Sequence, residues 1–188
     1  MPKYSRTLVR LLKERGFENQ TFIGTEVGVW LGKNAAALLA QFPELRLHLV
    51  DPWSVEDRFL AGLSHPPRDQ EMSDSMMRKA LSRTEFAADR RIVHREESLT
   101  AAKGTADGSL DFVFIDACHL YESVRDDLSA WWPKIRRDDP FLFAGHDYGS
   151  PGGHTKDWGV RRAVDEFKES RGLSVRVDRR TDVWWVEK

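Results

Sequence analysis

The stretch Thr21-Phe22-Ile23-Gly24-Thr25-Glu26-Val27-Gly28-Val29-Trp30-Leu31-Gly32-Lys33-Asn34 decides the fold. It opens on apolar residues, is broken by Gly28 and Gly32, and runs into Ala35-Ala36-Ala37-Leu38-Leu39-Ala40. That pattern predicts a buried strand, a glycine turn and a helix. Such a turn sets backbone N–H groups at a helix N-terminus, where an anionic or polar ligand can sit. Gly28 and Gly32 carry no Cβ, so backbone can come close to a ligand there. The spacing is an acid followed by Gly-x-x-x-Gly, not G-x-G-x-x-G, so the dinucleotide fingerprint is not matched. Two glycines also suffice for a plain tight βα connection. What stands at the ends of the later strands therefore has to carry the case for function.

Upstream, Ser5 to Arg15 places Leu8, Leu11 and Leu12 on one face before Gly16, an amphipathic helix positioned to cover the sheet or the mouth of a cofactor site. Downstream, Pro43 ends the second helix, and Leu45, Leu47, Leu49 and Val50 form a second strand broken by Asp51-Pro52. Asp51 lies just past that strand, at the distance from the glycine turn that a βαβ unit needs to bring a carboxylate to a ribose diol. A turn aspartate before proline is the structural alternative. Trp53 to Ser73 is long for a connection and reads as a partly ordered lid anchored by Trp53, Phe59 and Leu60. Met72, Met76, Met77, Ala80 and Leu81 share a helical face, as core packing rather than ligands.

Arg91 to His94 is a third strand, with Glu97 and Ser98 following at the ligand edge as cofactor contacts or, for Ser98, a helix cap. Leu110 to Ile115 is the clearest strand and ends in Asp116; Tyr121 to Trp132 is helical up to Pro133. Phe141 to Ala144 makes a fifth strand ending in Gly145-His146-Asp147-Tyr148. A Gly/Pro-rich loop, Gly149 to Lys156, leads to a helix with Val160, Ala163, Val164 and Phe167 on one face. Leu173–Val177 and Val183–Val186 are close enough in sequence to form an antiparallel hairpin. The sum is an α/β chain of five βα repeats and a closing hairpin, with a mostly parallel sheet between two helical layers. Glu26, Asp51, Glu97, Ser98, Asp116, His146 and Asp147 then gather at the carboxyl edge of that sheet, where such folds bind ligands.

The 188 residues suit one domain spanning 1–188. Lysine plus arginine is 29 against 30 aspartate plus glutamate, which argues against nucleic acid as a partner. Cys118 is the only cysteine, which excludes an intrachain disulfide and fits a reducing cytoplasm. The start, MPKYSRTLVRLLKERG, lacks the apolar core of a signal peptide, and no apolar run approaches the ~20 residues of a membrane span. The expected partner is a small-molecule substrate, with homo-oligomerisation left open. Seven tryptophans point to aromatic packing or an aromatic-lined pocket.

On E-V-G-V-W-x-G, the acid after the second strand and the terminal hairpin, the chain resembles the class I S-adenosylmethionine-dependent methyltransferases. FIDACHLYESVRDDLSAWWPKI, LFAGHDYG and GVRRAVDEF are similar to the small bacterial methyltransferases grouped with the macrocin-type O-methyltransferases. The resemblance implies a three-layer Rossmann-like fold with a seven-stranded sheet and S-adenosylmethionine as cofactor. It implies that Glu26 and the Gly28 region hold the methionine part, Asp51 the ribose hydroxyls, Trp53 a ribose or adenine flank, and Glu97-Ser98 the adenine, with Asp116 beside the cofactor. In the metal-dependent branch an acid after strand four and a pair after strand five hold a divalent cation, magnesium or manganese. Those positions are Asp116, His146 and Asp147 here. His146 departs from the branch's usual carboxylate or amide and shifts the preference towards softer ions. Asp138-Asp139-Pro140 replaces the usual Pro-Gly-Gly turn.

The resemblance further implies methyl transfer to a small-molecule acceptor, a hydroxyl oxygen first of all. His119 stands three residues after Asp116, where a catechol-type branch carries a lysine base; His119 and His146 are the candidate bases. A nicotinamide-dependent oxidoreductase and a non-catalytic S-adenosylmethionine-binding module are the competing readings.

Overall fold

The computed structural model describes residues 1–56, 62–63, 65–138, 140–149 and 159–187. Strand β1 (Phe22–Val27) is buried along nearly its whole length, as a central parallel strand covered on both faces must be. Around it lie β2 (Leu45–Val50), β3 (Arg91–His94), β4 (Phe112–Ile115), β5 (Leu142–Gly145), β6 (Ser174–Asp178) and β7 (Val183–Glu187). The seven strands run in the order β3-β2-β1-β4-β5-β7-β6. β1 to β5 are parallel, and β7 inserts antiparallel between β5 and β6. Winding reverses between β1 and β4, so the loops leaving their carboxyl ends diverge and open a crevice.

The helices are α1 (Lys3–Glu14), α2 (Lys33–Gln41), α3 (Gln70–Arg83), α4 (Ser98–Gly104), α5 (Tyr121–Trp131) and α6 (Val160–Arg171). Leu8, Leu11, Leu38, Leu39, Met76 and Ala80 bring α1, α2 and α3 onto one face of the sheet. Ala101, Val124, Leu128, Trp131, Val164 and Phe167 bring α4, α5 and α6 onto the other. The three-layer α/β fold with a C-terminal antiparallel hairpin follows the expectation. β7 is buried on both faces, which accounts for its Val-Trp-Trp-Val run. β6 forms the edge and carries polar residues such as Arg176, which discourage edge-to-edge pairing.

Several boundaries differ from the sequence reading, and two of them have a clear cause. The connection after Trp53 ends earlier than Ser73, because the Asp69 carboxylate accepts from the Met72 amide at 2.7 Å and starts α3 at Gln70. Leu110 is not part of β4. It forms an isolated bridge with Ile135, while the Asp111 carboxylate accepts from the Ile23 amide and pairs with Arg136. Phe59, Leu60, Asp139 and residues 150–156 of the Gly/Pro-rich loop lie outside the described residues. Among the described residues no helix is long and apolar enough to cross a membrane.

Candidate active site

The crevice at the carboxyl edge is a cavity of about 1020 Å³. Gly28, Asp51, Trp53, Glu97, Ser98, Asp116, His119, His146 and Asp147 all line it. Gly28 closes its floor between β1 and β4. With φ at +90°, a Cβ at this position would lie 2.1 Å from the carbonyl oxygen of Asp116, so only glycine lets the two loops meet.

Asp51 ties this floor to the end of β2. Its Oδ2 accepts from the amides of Val29 at 2.9 Å and Trp30 at 2.8 Å, and its Oδ1 from the amide of Trp53 at 2.8 Å. Burial pushes its pKa up, against the pull of those three amides. The Trp53 indole is buried and donates to the Trp30 carbonyl at 2.9 Å. Trp30 and Trp53 both hold positive φ, at 50° and 40°, a conformation that bulky side chains adopt only under local constraint. Asp51 is thus a turn aspartate in the sense of the structural alternative, and it also faces the cavity.

Glu26 does not line the cavity. Its carboxyl is buried, and the buried Asn34 of α2 donates to Oε1 at 3.1 Å. Burial raises its pKa well above the usual carboxylate range. Ser98 is the first residue of α4 and does not cap it. Its hydroxyl donates to Asp127 of α5 and accepts from the Trp131 indole at 2.9 Å. Asp127 is buried, and burial pushes its pKa up to about 7.

The opposite end of the cavity is built by the two loops that follow β4 and β5. Those strands pair with Ile115 opposite Gly145, which sets Asp116 beside His146. The Nδ1 of His146 lies 3.0 Å from the Asp147 carboxylate and 3.7 Å from that of Asp116. The Nε2 of His119 lies 2.9 Å from Asp147 and 3.9 Å from Asp116. The other ring nitrogen of His119 donates to the Gly62 carbonyl at 2.6 Å, which pins the connection after Trp53 to the cluster. Burial alone would lower both histidines. Hydrogen bonding and charge from Asp116 and Asp147 outweigh it, raising His119 to about 10 and, with the Thr181 backbone, His146 to about 9. Burial likewise raises Asp116, whereas the two imidazoles overcome burial at Asp147 and hold it below the usual carboxylate range. Asp147 also has positive φ, at 60°.

Asp116, His146 and Asp147 each offer one ligand atom within 4.8 Å of the others, a donor set that could hold a metal ion. Sequence reasoning missed Tyr4, whose ring centroid is 4.7 Å from that of His146 and whose phenol is pushed upward by burial and by Asp116, Glu26 and Asp147. It is the residue four before Leu8 on the apolar stripe of α1. Asp127 was also missed, although it occupies the buried stripe of Val124, Leu128 and Trp131.

A family model described as a methyltransferase domain matches residues 25–148. Among solved structures, a Corynebacterium glutamicum protein aligns with a TM-score of 0.69 at 17% identity, covering 100% of this chain and 81% of its own. The O-methyltransferase TomG from Streptomyces achromogenes, involved in tomaymycin synthesis and solved with S-adenosylmethionine, aligns at 0.63 and 18% identity, over 97% of this chain and 78% of its own. Cofactor-bound Rv0187 from MTB aligns at 0.62 and 19%, over 99% and 79%. No curated protein matches the sequence. The strand order, the glycine loop closed on Asp116 and the family match over most of the sheet agree: the chain belongs to the methyltransferase-domain family and is an S-adenosylmethionine-dependent methyltransferase.

Proposed function

We propose that the enzyme moves the methyl group of S-adenosylmethionine to a hydroxyl oxygen of a small molecule, with a divalent cation held by Asp116, His146 and Asp147. The observation that carries this reading is the convergence of those three donors in the same cavity as Gly28 and Asp51. Two carboxylates and an imidazole suit manganese or another transition ion better than magnesium. When bound, such an ion polarises an acceptor oxygen and lowers the pKa of its proton. TomG, a structural relative described as an O-methyltransferase, is consistent with an oxygen acceptor.

The chain's own residues have the remaining tasks. The Gly28 backbone receives the methionine part of the cofactor, the Asp51 carboxylate takes the ribose, Trp53 flanks it, and Glu97 with Ser98 borders the adenine. Glu26 acts by holding Asn34 and the start of α2. In the transfer the acceptor oxygen bonds to the methyl carbon as the carbon–sulfur bond breaks. S-adenosylhomocysteine keeps the bonding pair on sulfur, and the hydroxyl proton passes to His119, the imidazole of the cluster that does not hold the cation. Alignment of donor and acceptor alone is worth ~7–11 kcal/mol in favourable cases. The test is transfer of isotopically labelled methyl from S-adenosylmethionine to a panel of phenols, sugars and amines, with and without chelator. Chelator-sensitive labelling of hydroxyl compounds is the expected result. Labelling of amines alone, or full transfer in chelator, overturns the proposal.

A further inference from the structure

We infer that Asp127 is the residue by which the enzyme selects adenine, its free carboxylate oxygen accepting from the exocyclic amine of S-adenosylmethionine while Ser98 holds it in place. The inference rests on the adenine position proposed above, beside Glu97 and Ser98, and not on the cation. Its first support is an unfilled acceptor. Asp127 is only 5% exposed, yet it lines the cavity. Its Oδ1 accepts from the Ser98 hydroxyl, and among the described residues no group donates to its Oδ2. Oδ2 is not sealed inside the protein either, so it opens onto the cavity. A carboxylate oxygen withdrawn from bulk water costs free energy until a donor reaches it. Burial pushes the Asp127 pKa up to about 7 against the single pull of Ser98.

The second support is how the carboxylate is aimed. The Trp131 indole can only donate, and it donates to the Ser98 hydroxyl oxygen at 2.9 Å. Ser98 gives its one hydrogen to Asp127 and has none left for a base. Asp127 and Trp131 are one turn apart on α5, whose Val124, Leu128 and Trp131 pack in the core, so the chain Trp131–Ser98–Asp127 stands on a fixed helix. A cofactor with its ribose at Asp51, after β2, extends its base towards the helices that follow β3 and β4, and Ser98 meets Asp127 there. The third support is chemistry. The ring nitrogens N1, N3 and N7 of adenine accept, and the exocyclic amine is its one donor. An ionised carboxylate only accepts, so the two match in a single way. The other acids of α5 on this wall are placed differently: Glu122 is exposed, and Asp126 pairs with Arg125 at 2.8 Å. A base with a carbonyl in place of the amine would set oxygen against oxygen at Asp127.

The test uses S-inosylhomocysteine, which differs from S-adenosylhomocysteine by that carbonyl. Both compounds are titrated by calorimetry into full-length wild type, Asp127→Asn and Glu97→Gln. The wild type should bind the adenosyl compound about 100-fold or more tightly than the inosyl one. In Asp127→Asn the ratio should fall about 30-fold or more, because the carboxamide still accepts from Ser98 through Oδ1 and turns its N–H2 towards the carbonyl. Glu97→Gln should change the ratio by less. A shift in Glu97→Gln and none in Asp127→Asn overturns the inference and leaves the adenine position intact. A wild-type preference that survives both substitutions overturns the inference and the adenine position together. A wild-type ratio near one overturns the inference without any variant. If Asp127→Asn folds poorly, NMR of the wild type with S-adenosylhomocysteine labelled with nitrogen-15 at the amine decides the matter. Contacts between the amine protons and the Asp127 methylene are expected, and their absence overturns the inference.

Discussion

The two ends of the cavity use their polar groups in opposite ways. At the glycine-loop end they are committed to the protein's own groups: Asp51 accepts three backbone amides, and the Ser98 hydroxyl is fixed between the Asp127 carboxylate and the Trp131 indole. At the far end, side chains of opposite charge face one another across two loops, and Asp147 stands within 3.0 Å of both His119 and His146, with Asp116 farther from each at 3.9 and 3.7 Å. The first end is a frame whose shape is set before any ligand arrives. The second is a charge cluster whose protonation depends on what it binds. Preorganised dipoles suit cofactor binding, and an adjustable cluster suits chemistry at the transferred group.

The largest effect should come from breaking the frame. Gly28→Ala places a Cβ 2.1 Å from the Asp116 carbonyl in a left-handed backbone. We expect a loss of about 2–4 kcal/mol in stability and no detectable S-adenosylhomocysteine binding, read by denaturation and calorimetry. Near-native binding would mean the loop is not the rigid element described. Asp147→Ala should come next and act on the other end alone. It removes the shared partner of two imidazoles, so metal affinity and methyl transfer should fall by about 100-fold or more while S-adenosylhomocysteine affinity stays within a few-fold of wild type. A parallel loss of cofactor binding would merge the two ends into one site.

A pH series sharpens the contrast further. His119 and His146 are raised from 6.5 to about 10 and about 9, so the folded state binds these protons more tightly than the unfolded chain does. Their contribution to stability is complete below pH 6.5 and is lost as pH climbs through those values. The melting temperature of chelator-treated protein should therefore fall between neutral and alkaline pH. Protein saturated with manganese should not follow, because the ion displaces those protons and binds better as they leave. A flat alkaline limb without metal would contradict the paired charges. The smallest effect is expected from Ser98→Ala, which leaves Asp127 buried without its hydroxyl partner. A cost of about 1–2 kcal/mol by chemical denaturation, with manganese affinity untouched, would keep the two ends separate.

The glycine-loop end was largely legible in the sequence because its signals are local. A buried run, two glycines and a helix-forming tract name a βα turn, and parallel strands put their following residues on one edge. Asp51, Asp116, His146 and Asp147 could be placed at that edge from strand ends alone. The position of Glu26 was harder. Strand alternation sends Val27 towards α5 and α6 and its neighbour Glu26 to the opposite face, where Asn34 bonds its carboxyl. Its position relative to Asp116 makes His119, with His146, a candidate base. What constrains it is the carbonyl of Gly62, 57 residues away, a contact that no local pattern carries. Tyr4 reaches His146 only because α1 packs across the sheet beside β7. Asp127 was within reach of sequence reasoning, as a carboxylate on an otherwise apolar helical stripe.

The division of the cavity is tested most directly by crystals grown with S-adenosylhomocysteine and manganese, with data collected at the manganese absorption edge. One anomalous peak bounded by Asp116, His146 and Asp147, with the ribose of the ligand at Asp51, is the predicted result. A peak elsewhere, or an ordered cofactor product with no peak in the cluster, would contradict the assignment of that end to a cation.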